Sequence, residues 1–190
     1  LTLTLEENQL IRKACQKYNG RVFVVGTQQR SDAERFLRAV NMVQKGLLGD
    51  IKRITVDLNG SASAGHFKRL KPPKELDWNF WLGQAPLVDY MKERCHIEFR
   101  WWHEYSGGKF TDWGAHHVDI ALWALRRNQE GAGPVEIDGA DAQHPIDFKD
   151  GYPIRDDFYN TAYDFRVKCK FADGVELVAS SHSENGILFE

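Results

Sequence analysis

Apolar residues recur at helical spacing near the start of the chain, at Leu10, Ile11, Ala14, Cys15 and Tyr18. They come after a Thr4 and Glu7 pair with the spacing of a capping box, so the pattern predicts a helix from about Leu5 to Tyr18. Asn19-Gly20 supplies a left-handed stop. The run R-V-F-V-V-G-T over 21–27 is almost continuously apolar and bounded by glycines, which predicts a strand buried on both faces. Ser31 with Glu34 repeats the capping spacing, and Ala33, Phe36, Leu37, Val40, Val43 and Leu47 mark one face of a second helix that Gly46 and Gly49 end. From Ile51 the period changes to two. Ile54, Val56 and Leu58 alternate with Thr55 and Asp57, as in a half-buried strand.

The stretch from Gly60 to Pro86 shows no sustained period, contains Pro72-Pro73 and carries Trp78, Phe80 and Trp81 in L-D-W-N-F-W-L-G. It reads as a long ordered loop, either functional or pinned to the core by its aromatics. A patterned helix comes next, around Thr111 to Arg127. The tail returns to strand patterns at 135–137, 163–171 and 175–181, with a turn at Ala172-Asp173-Gly174 and a further strand opening at Ile187. Strand, long loop, helix and hairpins in that order predict an α+β domain over 31–190, with a predominantly antiparallel open β-sheet flanked by helices. The helix and buried strand of 1–30 have the grammar of a different, α/β, domain.

Composition narrows the partners. A chain of 190 residues is long enough for one well-buried core. Its net charge of −2 gathers neither nucleic acid nor an anionic membrane surface. No apolar run approaches the roughly 20 residues of a bilayer span. The three cysteines, Cys15, Cys95 and Cys169, are far apart and form no C-x-x-C, which points away from disulfides or a thiolate zinc site and toward a reducing, cytoplasmic setting. The missing initiator methionine and the strand-like ending at 187–190 read as the ends of a piece of a longer protein.

The segment F-R-W-W-H-E-Y-S-G-G-K-F-T-D-W-G-A-H-H-V-D-I-A-L-W, residues Phe99 to Trp123, carries the candidate chemistry. On a helix, Asp112, His116, Asp119 and Trp123 fall within an arc of about 60°, and Trp113, Ile120 and Ala124 form an adjoining apolar stripe. A carboxylate one turn from an imidazole fixes its tautomer and favours the protonated ring, which suits His116 as a proton-transfer residue oriented by Asp112. The plainer alternative is a local helical ion pair worth about 0.2 to 0.5 kcal/mol. A metal reading of Asp112, His116 and Asp119 lacks a fourth ligand, and His103-Glu104 has Gly107 where an H-E-x-x-H needs its second histidine, so no metal is expected. Arg100, Trp102, His103 and Tyr105, with Trp81 and Asp119, form the candidate substrate-binding set, combining flat apolar faces with polar tips suited to a carbohydrate or polyol. Trp101 and Trp102 cannot face the same way, so one of the two belongs to the core.

These residues resemble the Gfo/Idh/MocA oxidoreductases, the group of glucose-fructose oxidoreductase and inositol dehydrogenase. The shared pattern G-G-x-x-x-D-x-G-x-H-x-x-D stands here as Gly107-Gly108-Lys109-Phe110-Thr111-Asp112-Trp113-Gly114-Ala115-His116-His117-Val118-Asp119. V-G-T-Q-Q-R-S and the later K-G-L-L-G-D-I-K-R-I resemble the family's passage from its nucleotide-binding domain into its substrate domain, which makes Gln28 and Arg30 candidate cofactor contacts. The resemblance implies an N-terminal Rossmann domain with NAD or NADP, Asp112 and His116 as the catalytic pair, hydride transfer from a secondary alcohol of a sugar or cyclitol, and a homo-oligomer formed through the open sheet face. The chain departs from the pattern in having no G-x-G-x-x-G. The opening Leu1-Thr2-Leu3-Thr4-Leu5-Glu6-Glu7 resembles the stretch directly after the family's E-K-P lysine motif, placing that lysine upstream of Leu1 and making 1–30 the last helix and strand of a truncated dinucleotide domain. A fragment of that kind is expected to be inactive alone. Two alternatives stay open: a redox-neutral, glycosidase-type enzyme working by transient oxidation, and a non-enzymatic sugar-binding or oligomerisation module.

Overall fold

The computed structural model describes residues 2–129, 131–182 and 184–190. Leu1, the first residue of the 1–30 segment, lies outside them. Helix α1 spans Leu5–Lys17, and its capping box forms as expected: Thr4 accepts from the Glu7 backbone while the Glu7 carboxylate accepts from the Thr4 and Leu3 amides. None of its residues is buried.

The run at 21–27 is not a strand. It is extended, irregular chain with Val22 90% and Val24 80% exposed. A buried parallel strand exists only through hydrogen bonds to neighbours on both sides, and among the described residues no strand lies beside it. Residues Gln28–Ser31 then form one 3-10 turn. Helix α2 covers Phe36–Gln44, starting later than the Ser31–Glu34 spacing implied. Ser31 closes the 3-10 turn, and the Asp32 carboxylate instead accepts from the Arg35 amide and guanidinium.

Strand β1, Arg53–Asp57, runs as expected, with Ile54 and Val56 fully buried along with Leu58 just beyond it. The long segment after it is mainly irregular but holds α3, Trp78–Leu82, capped by Asp77 accepting from the Phe80 amide. Its tryptophans do pin it: Trp78 packs with Leu82, Tyr90 and Cys95, and its indole donates to the Val88 carbonyl. Helix α4, Gly108–Ala124, begins three residues before the expected Thr111. Its early start comes from a cap that no local spacing could reveal, because the Lys109 amide donates 2.9 Å to the Ser61 hydroxyl, 48 residues away.

The tail supplies β2 (Glu136–Asp138), the two-stranded ribbon β3 (Phe148–Lys149) with β4 (Tyr152–Pro153), β5 (Arg166–Lys170), β6 (Glu176–Ser180) and β7 (Gly186–Phe189). The main sheet has the order β2-β5-β6-β1-β7. Among the described residues only β1 and β6 pair in parallel; the other pairs are antiparallel. The expected α+β class and mostly antiparallel sheet are therefore present. Ile54, Val56, Leu58, Phe165, Leu177 and Ala179 meet Ala121 of α4 in one core. Each large side chain buried there contributes about 1.5 to 3 kcal/mol. Helix α2 packs on the next stripe of α4 through Val40 against Ile120 and Ala124. The central helix α4 is thus fixed by the sheet on one side and α2 on another, which leaves a third side for chemistry.

Candidate functional site

Helix α4 orders the candidate residues. Gly108 takes φ +67°, and a Cβ there would stand 2.6 Å from the Thr161 hydroxyl and 2.9 Å from that of Ser61, so only glycine lets the chain enter the helix at this point. Gly114 faces Leu58 on the sheet. Between these two glycines Asp112 projects partly exposed, and its carboxylate is bound by the Arg100 guanidinium, whose Nε donates 2.9 Å to the Ile97 carbonyl.

That pairing alters the expected relay. Asp112 is engaged by Arg100 and makes no hydrogen bond to His116, because a full guanidinium charge is the stronger partner for a carboxylate. The half-buried His116 ring has no hydrogen-bond partner among the described residues and is open at its nitrogens. Its neighbour His117 is only 3% exposed and packs against Trp113 and Phe36. Burial, aided by the adjacent His116, holds the His117 pKa below the usual imidazole value, and its Nδ1 meets the Gln29 amide at 3.2 Å.

Asp119 sits on the expected stripe but is already occupied. Arg30 donates to it through Nε at 2.7 Å and Nη2 at 2.6 Å, a bidentate pair that raises the guanidinium's own pKa. The same guanidinium lies 4.9 Å from the Trp123 ring. Asp119 and Arg30 therefore hold the 28–31 turn against α4. Gln28 is exposed beside them.

The aromatic candidates divide. Trp102 is fully buried, donates to the Glu93 carbonyl and has the Arg94 guanidinium 3.8 Å from its ring, so it is a core residue and not a substrate contact. Trp101 is half-buried, its indole donating 2.9 Å to Glu98. Trp81 stacks on Trp78 at 4.8 Å and meets the edge of Tyr105 at 5.1 Å. Tyr105 accepts from Arg94 at 2.9 Å, and burial pushes its hydroxyl pKa up. His103 is exposed, with its ring against Phe148 and its amide donating to Asn160. The structure thus joins Arg100 to Asp112 and Trp81 to Tyr105, in two separate clusters, with His103 in a third environment. Gln29 and His117 were not singled out from the sequence. His117 does fall on the inward arc with Gly114 and Ala121, and that signal was available.

These residues do not fit a dinucleotide. Among the described residues no glycine-rich turn offers backbone amides to a pyrophosphate, and the segment before Gln28 is exposed, irregular chain. Among the described residues no three His, Cys, Asp or Glu side chains gather as a metal site. No helix among them is long and apolar enough to cross a membrane.

A mixed sheet packed by one long helix that begins at a glycine pair makes this an α+β domain. A family profile described as "Oxidoreductase family, C-terminal alpha/beta domain" matches residues 37–185, and the chain belongs to the Gfo/Idh/MocA oxidoreductase family. No curated protein sequence matches it. Among solved structures it is similar to aldose-aldose oxidoreductase from Caulobacter crescentus complexed with glycerol (16% identity, TM-score 0.57, 95% of this chain and 40% of that one). It is also similar to the WlbA dehydrogenase from Bordetella pertussis in complex with NADH and UDP-GlcNAcA (16%, 0.53, 100% and 47%). A third similar structure is a super-repressor mutant of Gal80p from Saccharomyces cerevisiae (18%, 0.55, 95% and 40%). The chain spans less than half the length of each of these three, and at such identities the likeness is one of fold.

Proposed function

We propose that this chain supplies the substrate-side domain of an NAD(P)-dependent oxidoreductase acting on a secondary alcohol of a sugar or cyclitol. The observation that carries the reading is the open His116 ring, one turn beyond an ion-paired Asp112, on the helix that bears the family pattern. In this role His116 accepts the hydroxyl proton at a ring nitrogen, and the Arg100–Asp112 pair fixes the polar wall beside it. A nicotinamide cofactor must be held by residues other than those described, so the chain on its own is expected to show no NAD(P)-dependent turnover. Self-association through the sheet face away from α4 belongs to the same reading, and solution mass tests it.

Replacing His116 with Ala in the parent enzyme, assayed with NAD+ or NADP+ against sugars and inositols, should lower kcat by about a hundred- to ten-thousand-fold. An unchanged rate across pH would remove His116 from the chemistry, and turnover by residues 1–190 alone would remove the need for another domain. If products form without net release of reduced cofactor, the redox-neutral alternative is correct. The likeness to Gal80p, named as a super-repressor, favours as second reading a non-catalytic module. Sugar binding with no oxidation by the parent would establish it.

A further inference from the structure

The open stripe of α4 carries more positive charge than the chain itself balances. Lys109, Asp112, Trp113 and His116 stand at i, i+3, i+4 and i+7, an arc of about 100°, so all four leave the helix on the side of the proposed site. Asp112 is already paired with Arg100. Lys109 has no carboxylate partner among the described residues, and its ammonium lies 5.3 Å from the centroid of the partly exposed Trp113 ring. The nearby acids are spent elsewhere: Glu98 accepts from the Trp101 indole and the Tyr159 hydroxyl, and Asp119 is held by Arg30.

Lys109 also stands where a cation is disfavoured. The first turn of a helix presents unpaired amides and the positive end of the dipole, so a carboxylate is the stabilising choice there. The first turn of α4 has no acid and this lysine instead. Its amide is fixed by the Ser61 hydroxyl at 2.9 Å, and its side chain is half-buried over the indole. Arg100 adds a second donor from the neighbouring 3-10 segment, since its Nη2 has no partner among the described residues while Nε and Nη1 are taken by Ile97 and Asp112.

We propose that the site on α4 takes a sugar bearing a carboxylate, a uronic or aldonic acid, and that Lys109 is the residue that selects it. The inference rests on the reading of His116 as the proton acceptor and narrows the substrate of that same site. The carboxylate pairs with the Lys109 ammonium and accepts from Arg100 Nη2, while the sugar lies along the exposed part of Trp113. A neutral sugar leaves Lys109 unpaired. A phosphate ester is less well served, because Arg100 has one free nitrogen and cannot offer the two-pronged fork that suits phosphate. Lys109 and His116 are about 10 Å apart along the helix axis, so the hydroxyl that reacts is on the far side of the sugar from its carboxylate.

The test is an amide NMR titration of the chain with D-glucuronate, D-glucose, glucose 6-phosphate and acetate. The expected result is saturable shifts over 100–116 with glucuronate, at least about tenfold tighter than glucose and weakening as salt is added. Lys109→Met keeps the stem and removes the charge, and it should abolish that preference without changing the affinity for glucose. Lys109→Arg should keep most of it. Met is a good helix former, so the Lys109→Met spectrum should match the wild type away from the site. Equal affinity for glucuronate and glucose, tighter binding of glucose 6-phosphate, acetate bound as well as glucuronate, a preference that survives Lys109→Met, or no glucuronate shifts at tens of millimolar would each overturn the proposal. The His116 reading fails separately, through unchanged oxidation by His116→Ala in the parent enzyme, whereas the choice of a carboxylate is read from binding alone.

Discussion

Two glycines in the family pattern have different physical duties, and mutation should separate them. At Gly108 a side chain must adopt φ +67° and also meet the Thr161 and Ser61 hydroxyls, both backed by packed structure. Gly108→Ala should therefore cost about 2 to 4 kcal/mol, read as a lower urea midpoint. Gly114 has no positive φ, and its Cβ would crowd only the far end of Leu58, at 3.2 Å, with the Lys109 carbonyl and the Phe110 ring at an ordinary 3.8 Å. Gly114→Ala gains up to about 1 kcal/mol of helix propensity against that crowding and should change stability by less than about 1 kcal/mol. His117 makes a different prediction, in pH. Burial lowers its folded pKa, whereas the unfolded imidazole titrates near 6.5. Below about 6.5 the unfolded chain therefore binds a proton that the folded chain resists, and stability falls as the pH drops from there toward the lower folded value. Thermal midpoints at pH 7 and pH 5 should diverge less in His117→Gln than in the wild type; an equal divergence would mean that other groups set the slope. The sequence marked Asp112 and His116 by their shared stripe, but it could not show that Arg100 takes the carboxylate, since the chain between Arg100 and Asp112 folds back through a turn with no period.

At the scale of elements, the 28–31 turn and α4 form a clamp. Arg30 on Asp119, Gln29 on His117 and the Arg30–Trp123 contact join them. Both partners in the ion pair are about a quarter to a third exposed, so Arg30→Ala should cost less than about 1 kcal/mol globally. Its local effect should be larger: faster amide exchange and earlier protease cleavage across 21–31, with α4 protection unchanged. Equal protection of that segment in both proteins would mean that α2 alone holds the turn. Elements whose stabilising partners lie close in sequence were legible, such as α1 through Thr4 and Glu7 and β1 through its alternation. Those fixed from afar were misplaced at their ends. Helix α4 starts where Ser61 reaches it, and α2 starts after a 3-10 turn that Gln29 and Arg30 tie to α4 and that Asp32 follows with its bond to the Arg35 amide. The β3–β4 ribbon has two residues in each strand, too few for a period to show.

For the whole molecule, the segment at 21–27 marks where local pattern and available partners disagree. Its composition is that of a buried strand, yet Val22, Phe23, Val24 and Val25 are exposed and unpaired beside a helix that buries nothing. The remainder of the chain closes a core of its own over β1, β5, β6 and α4. An unpaired, β-prone apolar run is a template for pairing with other chains and a source of aggregation. The double substitution Val22→Lys and Val24→Lys should therefore leave the unfolding free energy of the domain within about 0.5 kcal/mol of wild type, since neither residue contributes to the core. It should also reduce concentration-dependent light scattering of the isolated chain. If the segment is instead the edge of a dinucleotide-binding sheet in the parent enzyme, the same two lysines there would face buried neighbours and abolish folding of that half. Loss of stability in the isolated chain would show that 21–27 packs on the domain in solution, and the independence of the core from that segment would have to be abandoned.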